Sequence, residues 1–129
     1  MKMILAASGI ILKDKKILLV KRSKKSMLYP ETWVCPGGRG NPNETPEQIV
    51  VREVKEEVNL DFQPTQLLKK TVHKERELFR FLGTWSGKIK IQKEELTQYG
   101  WFSYKETKAL NLGFEYRYVI EDLHKKELI

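Results

Sequence analysis

The chain has a single cysteine, Cys35, among 129 residues. No disulfide can form within it, and a reducing compartment, the cytoplasm, is the simplest reading. Only two histidines occur, His73 and His124, and neither lies near Cys35 in sequence. Cys35 therefore reads as a small apolar filler rather than a nucleophile. No apolar run approaches the length needed to span a bilayer, so no membrane association is expected. Met1 to Leu12, MKMILAASGIIL, has the apolar character of a signal peptide but a thin basic start. It passes through Lys13-Asp14-Lys15-Lys16 into a second apolar run, a pattern that predicts a hairpin over Ile4 to Leu12 and Ile17 to Lys21. Repeats, low-complexity tracts and linkers are also lacking, and the length suits one domain over residues 1–129. Acidic residues are outnumbered, 17 against 24 lysines and arginines, for a net charge of +7. A lysine-coated soluble surface is favoured over a dedicated nucleic-acid face as its meaning, and attraction of a phosphate-rich substrate follows either way.

What is present is concentrated between Gly38 and Leu60, GRGNPNETPEQIVVREVKEEVNL. Thr45 is a good N-cap, Pro46 suits the first helical position, and Gln48 completes a capping box, so a helix is predicted from Pro46. Asn59 tolerates the left-handed conformation of a helix stop, with Leu60 folding back towards Val54 in a Schellman-type closure near Val58. At about 100° per residue, Glu53, Glu56 and Glu57 share one arc, and Val50, Val51, Val54 and Val58 share the next. Like charges three and four apart destabilise a helix by a few tenths of a kcal/mol per pair, so this clustering calls for a compensating cation. A hard divalent metal is the natural candidate.

Gly38, Glu44 and the run Arg52-Glu53-Val54-Lys55-Glu56-Glu57-Val58-Asn59-Leu60 together resemble the Nudix box, G-x5-E-x7-R-E-U-x-E-E-x-G-U. Asn59 replaces the second glycine, a substitution suited to a left-handed cap. The resemblance implies an α/β (α+β) fold, a mixed sheet between helices, spanning nearly the whole chain. It also implies hydrolysis of a nucleoside diphosphate linked to another moiety, with Mg²⁺ as cofactor and Mn²⁺ as a substitute. Under it Glu56 and Glu57 are the main metal ligands, Glu53 holds a further ion or helps activate water, and a carbonyl of Gly37 or Gly38 is an additional ligand. Arg52 orients the carboxylates with Glu44 as its partner. Arg22 and Arg39 are candidate phosphate contacts.

The string Glu44-Thr45-Pro46-Glu47-Gln48 is most similar to the MutT-type subgroup, implying a small-molecule substrate, a nucleoside triphosphate, intact or damaged, cleaved to monophosphate and pyrophosphate. Dinucleoside polyphosphates, nucleotide sugars and 5′-triphosphorylated RNA are alternatives, the last kept open by the basic surface and the aromatic segment Tyr99 to Tyr104. A nucleotide-binding module without turnover is a third reading, against which the intact glutamates and Arg52 argue. The general base stays open among Glu53, Glu94 and Glu95, with His73 weaker, because Gln98 beside Trp101 cannot serve as a carboxylate base.

Outside the box the pattern predicts a short strand from Glu31 to Cys35 running into a Pro36-Gly37-Gly38 loop. Further strands are expected over Leu67 to His73, Leu78 to Trp85 and Lys88 to Ile91, then a polar loop from Gln92 to Gly100. Trp33, Phe79 and Phe81 read as core. Ser103 with Glu106 starts a short helix through Leu110, and Phe114 to Lys126 is the last helix.

Overall fold

The computed structural model describes residues 3–129. Its elements are β1 (Ile4–Ile10), β2 (Leu12–Lys13), β3 (Lys16–Arg22), β4 (Trp33–Val34), β5 (Gly37–Arg39), α1 (Pro46–Val58), β6 (Asp61–His73), β7 (Arg76–Ser86), β8 (Leu96–Phe102), α2 (Tyr104–Thr107) and α3 (Tyr116–Lys125). The fold is α+β, with a mixed sheet and helices, and the chain divides into two compact units. One comprises the chain as far as Ile11 with Pro36–Lys90, and the other Leu12–Cys35 with Ile91–Ile129.

The first unit holds a sheet in the order β5-β1-β7-β6, in which β1 runs antiparallel to β5 and parallel to β7. Helix α1 has the predicted start, with Thr45 accepting from the Gln48 N–H and the Gln48 side chain accepting from the Thr45 N–H. Its stop is Asn59 at φ 65°, but the closing bond runs from the Asn59 N–H to the Lys55 carbonyl. That single bond is the simpler left-handed closure, not the Schellman pair. Ile49, Val50, Val54 and Val58 are fully buried, while Val51 is 41% exposed, so Ile49 takes the place expected of Val51. Burying each such side chain stabilises by about 1.5–3 kcal/mol, well above the repulsion among the glutamates. Packing therefore decides that this acidic helix forms.

Several strands differ from the sequence reading. The hairpin partner of β3 is only Leu12–Lys13, because β1 belongs to the first unit's sheet. Local sequence could show two apolar runs but not that the chain changes sheets at Ile11. Pro36-Gly37-Gly38 is not a free loop, since Gly37–Arg39 pairs with Ala6, Ala7 and Ser8. Lys88 to Ile91 is not a strand; the Lys90 N–H instead bonds the Val58 carbonyl, one of those left over at the end of α1. Phe81 is buried as expected, whereas Phe79 is half-buried with the Lys70 ammonium 5.6 Å from its ring. Arg80, between them, is buried and donates from Nη1 to the Thr71 hydroxyl at 2.9 Å.

In the second unit β3 pairs antiparallel with β2 and β4 on one edge and with β8 on the other. Ile17, Leu18, Leu19 and Val20 are fully buried, which confirms the reading of this run as covered on both faces. Asp14 and Lys15 have φ of 51° and 63°, the geometry of a two-residue hairpin turn. The expected loop from Gln92 to Gly100 becomes mostly β8 because Leu96 and Tyr99 to Phe102 complete the edge of β3. Trp33, expected in the core, is only half-buried and packs edge-on against the half-buried Phe102 at 5.0 Å. The Ser103 and Glu106 capping box forms, but α2 ends at Thr107. Phe114 and Glu115 are left-handed, at φ 50° and 62°, so the last helix starts only at Tyr116.

Candidate functional site

Strand β5 passes across the acidic face of α1, and the contact is made by backbone. The Gly37 N–H donates to Glu57 Oε1 at 2.9 Å. At Gly38 a Cβ atom would lie 2.5 Å from Glu53 Oε2, so the missing side chain is the space that the Glu53 carboxylate occupies. Glu57 is 7% exposed, and the Glu53 side chain 14%. Of the clustered glutamates Glu53, Glu56 and Glu57, two are thus folded against the di-glycine backbone, and the third, Glu56, keeps a 57% exposed side chain.

Arg52 ties the group together. Its Nη1 donates to Glu53 Oε1 at 3.0 Å and to Glu56 Oε2 at 3.1 Å. Nε and Nη2 each donate to a Glu44 oxygen at 2.8 Å, and Nη2 also reaches the Arg39 carbonyl at 3.2 Å. The bond from Arg52, with a second from the Asn41 N–H at 2.6 Å, holds the Glu44 carboxyl down at about 2. Reciprocally, Glu44 first, then Glu53 and Glu56, raise the Arg52 guanidinium above its ordinary value. The guanidinium thus fixes the positions of Glu44, Glu53 and Glu56.

Among the described residues no three His, Cys, Asp or Glu side chains already converge as a metal cage. Mg²⁺ asks for less, since it keeps several waters and is held by one or two carboxylates with the substrate's phosphates. A donor set of glutamate oxygens and glycine carbonyls, without thiol or imidazole, fits such a hard ion.

A model described as the NUDIX domain matches residues 3–123, nearly the full length of the chain. The chain belongs to that family. Among curated Nudix relatives it is 49% identical over 55 residues to an ADP-ribose pyrophosphatase of Methanocaldococcus jannaschii, covering 43% of this chain and 31% of that protein. It is 36% identical over 72 residues to an 8-oxo-dGTP diphosphatase of Proteus vulgaris, covering 56% and 63%. The chain thus spans about a third to two thirds of these relatives' lengths. A crystal structure of a MutT NUDIX hydrolase from Burkholderia pseudomallei aligns with a TM-score of 0.83 at 24% identity, over 94% of this chain and 98% of that one, a likeness of fold. Nudix hydrolases use divalent metal ions, in keeping with the donor set.

The Nudix box residues Gly38, Glu44, Arg52, Glu53, Glu56 and Glu57 all lie in the first unit with Gly37 and Arg39. Arg39 is exposed, and its carbonyl rather than its guanidinium meets Arg52. Arg22, Glu94 and Glu95 belong to the second unit. Arg22 donates from Nε to the Leu28 carbonyl at 3.0 Å and lies 5.1 Å over Phe114, while Glu94 and Glu95 are in an exposed turn. His73 is an exposed strand-end residue. Sequence reasoning missed the Asn41 N–H as a Glu44 partner; Asn41 and Glu44 are three apart, a spacing that closes a turn.

Proposed function

We propose that this chain hydrolyses nucleoside triphosphates, intact or damaged, to a nucleoside monophosphate and pyrophosphate, with Mg²⁺ as cofactor and Mn²⁺ as a substitute. One observation carries the reading: Arg52 fixes Glu44, Glu53 and Glu56 in one network while Gly37 fixes Glu57, so four carboxylates are oriented before any substrate arrives. When bound, the metal lowers the pKa of a coordinated water and offsets phosphate charge. Glu53, Glu56 and Glu57, with a carbonyl of Gly37 or Gly38, are the groups that would hold it. Arg52 contacts no reacting atom and acts by keeping the carboxylates in place. Water adds to one phosphorus, the anhydride P–O bond breaks, and a carboxylate of Glu53, Glu94 or Glu95 takes the water's proton. Arg39 and Arg22 are the cations offered to the phosphates.

Incubation with Mg²⁺ in ¹⁸O-water, followed by mass spectrometry, tests the reading on a panel of nucleoside triphosphates, nucleotide sugars, dinucleoside polyphosphates and triphosphorylated RNA. Labelled monophosphate or pyrophosphate from a nucleoside triphosphate, abolished by Glu56→Gln and Glu57→Gln, is the expected result. Turnover no higher than in those variants, with nucleotide binding retained, would make the chain a binding module instead.

A further inference from the structure

Two of the clustered glutamates stand on the least secure part of their helix. Helix α1 ends at Val58, so Glu56 and Glu57 lie in its last turn, where carbonyls run out of partners within the helix and the backbone frays. Arg52 reaches Glu56 Oε2 and the Gly37 N–H reaches Glu57 Oε1. These contacts act on the carboxylates, not on the backbone turn that carries them.

That turn is held from outside, by the stretch that follows β7. The ladder of β6 and β7 has Asp61 opposite Ser86, and two residues beyond that pair on each chain Asn59 meets Lys88. A side chain makes this contact, Asn59 Nδ2 donating to the Lys88 carbonyl at 3.2 Å. The Lys90 N–H then donates to the Val58 carbonyl at 2.9 Å, while the Asn59 N–H closes on the Lys55 carbonyl at 3.0 Å. Gly87 to Lys90 is neither helix nor strand, and the Lys88 and Lys90 side chains are exposed, so the backbone does the holding. A glycine at position 59, as in the box pattern, would cap the helix equally well but has no side chain to reach Lys88.

We infer that Asn59 and the Lys90 N–H are positioning groups for Glu56 and Glu57: the strap from Gly87 to Lys90 keeps the last turn of α1 closed, and so keeps both carboxylates in place for a divalent cation. The inference rests on the proposed metal role of these glutamates. An opened last turn displaces both side chains together, and a ligand set that must be re-ordered on binding gives up affinity. Each strap bond is a single hydrogen bond and shifts that local opening severalfold, with little effect on global unfolding. A capping role alone would show in global stability and leave cation affinity unchanged.

Mn²⁺ alone, titrated into the full chain and followed by electron paramagnetic resonance, tests this together with amide hydrogen exchange on the metal-free protein. Asn59→Gly should weaken Mn²⁺ binding about threefold while melting near wild type. Lys90→Pro, which deletes the other donor, should weaken it at least as much; if that variant melts early, Asn59→Gly decides alone. Lys88→Gln keeps the carbonyl and should bind Mn²⁺ as the wild type does. In Asn59→Gly the Glu56 and Glu57 amides should exchange about threefold faster, with the Val50 and Val54 amides unchanged. Unaltered Mn²⁺ affinity in Asn59→Gly, an equal loss in Lys88→Gln, or faster exchange along the whole helix would each overturn the proposal. So would a wild type that binds no Mn²⁺, which would remove the metal role as well. A wild type that shows these Mn²⁺ and exchange effects but hydrolyses no nucleotide would uphold the strap and sink only the hydrolase reading.

Discussion

Arg52 grips Glu44 at two points, Nε to Oε2 and Nη2 to Oε1, both at 2.8 Å, and from that anchor its other amino group reaches Glu53 and Glu56. A lysine ammonium has no fork with which to span these partners. Arg52→Lys should therefore leave α1 folded, since Thr45, Gln48 and Asn59 still cap it, but lower kcat by about 10–100-fold, as loss of an orienting partner does at metal sites. Steady-state kinetics at saturating Mg²⁺, with circular dichroism as the fold control, would check this. An unchanged kcat would mean that the carboxylates find their places without the guanidinium.

The Glu44 carboxyl titrates at about 2 in the fold against an ordinary 4.5. A depressed folded value means that the stabilisation is fully present above pH 4.5 and is lost as pH falls from there through about 2. Thermal melts of wild type and Glu44→Gln should differ by a constant amount from pH 5 to 7, and the gap should close towards pH 2. A gap that persists to that pH would show that the Glu44 charge has no part in the network.

How much of this was readable in advance follows from the range of each interaction. Helix α1 was legible to the residue because Thr45, Pro46, Gln48 and Asn59 act on backbone within one turn. The glutamate arc was legible for the same reason. Strand β8 was not, because Gln98 and Gly100 carry no strand pattern and gain their place by pairing with Lys21 and Leu19 across the sequence. Likewise nothing near Ile11 marks the point where the chain leaves one sheet for another, and the exchange of Ile49 for Val51 in the core depends on where β1 and β6 lie beside the helix. Side-chain chemistry was visible in the sequence; long-range pairing was not.

Asn59 offers a local test of the one departure from the family's box. Its backbone is left-handed at φ 65°, ψ 23°, and its side chain donates to the Lys88 carbonyl at 3.2 Å. Asn59→Gly relieves the backbone but gives up that exposed bond, so stability should stay within about 0.5 kcal/mol of wild type. Asn59→Ala loses the bond and keeps the strain, and should cost about 1–2 kcal/mol. Urea unfolding of the three proteins would decide, and equal stability of the alanine and glycine variants would contradict the backbone argument.

The two adjacent glycines separate fold from chemistry. A Cβ at Gly37 would meet backbone, with Ser8 Cα at 2.5 Å and the Ala7 carbonyl oxygen closer still, and neither can move without breaking the pairing of β1 with β5. A Cβ at Gly38 would meet only the end of the Glu53 side chain, with Oε2 at 2.5 Å and Cδ at 2.6 Å. Gly37→Ala should therefore cost about 1–3 kcal/mol or more of stability, in the manner of an overpacked core. Gly38→Ala should melt near wild type, because a flexible carboxylate can swing aside. That swing takes Glu53 away from Arg52 and from any ion it holds, so kcat should fall by about 10–100-fold with an increased Mg²⁺ requirement. Melting curves and Mg²⁺ titrations of both variants test the pair together. A Gly38→Ala protein with full activity would remove Glu53 from the catalytic set and leave Glu56 and Glu57 to carry the metal.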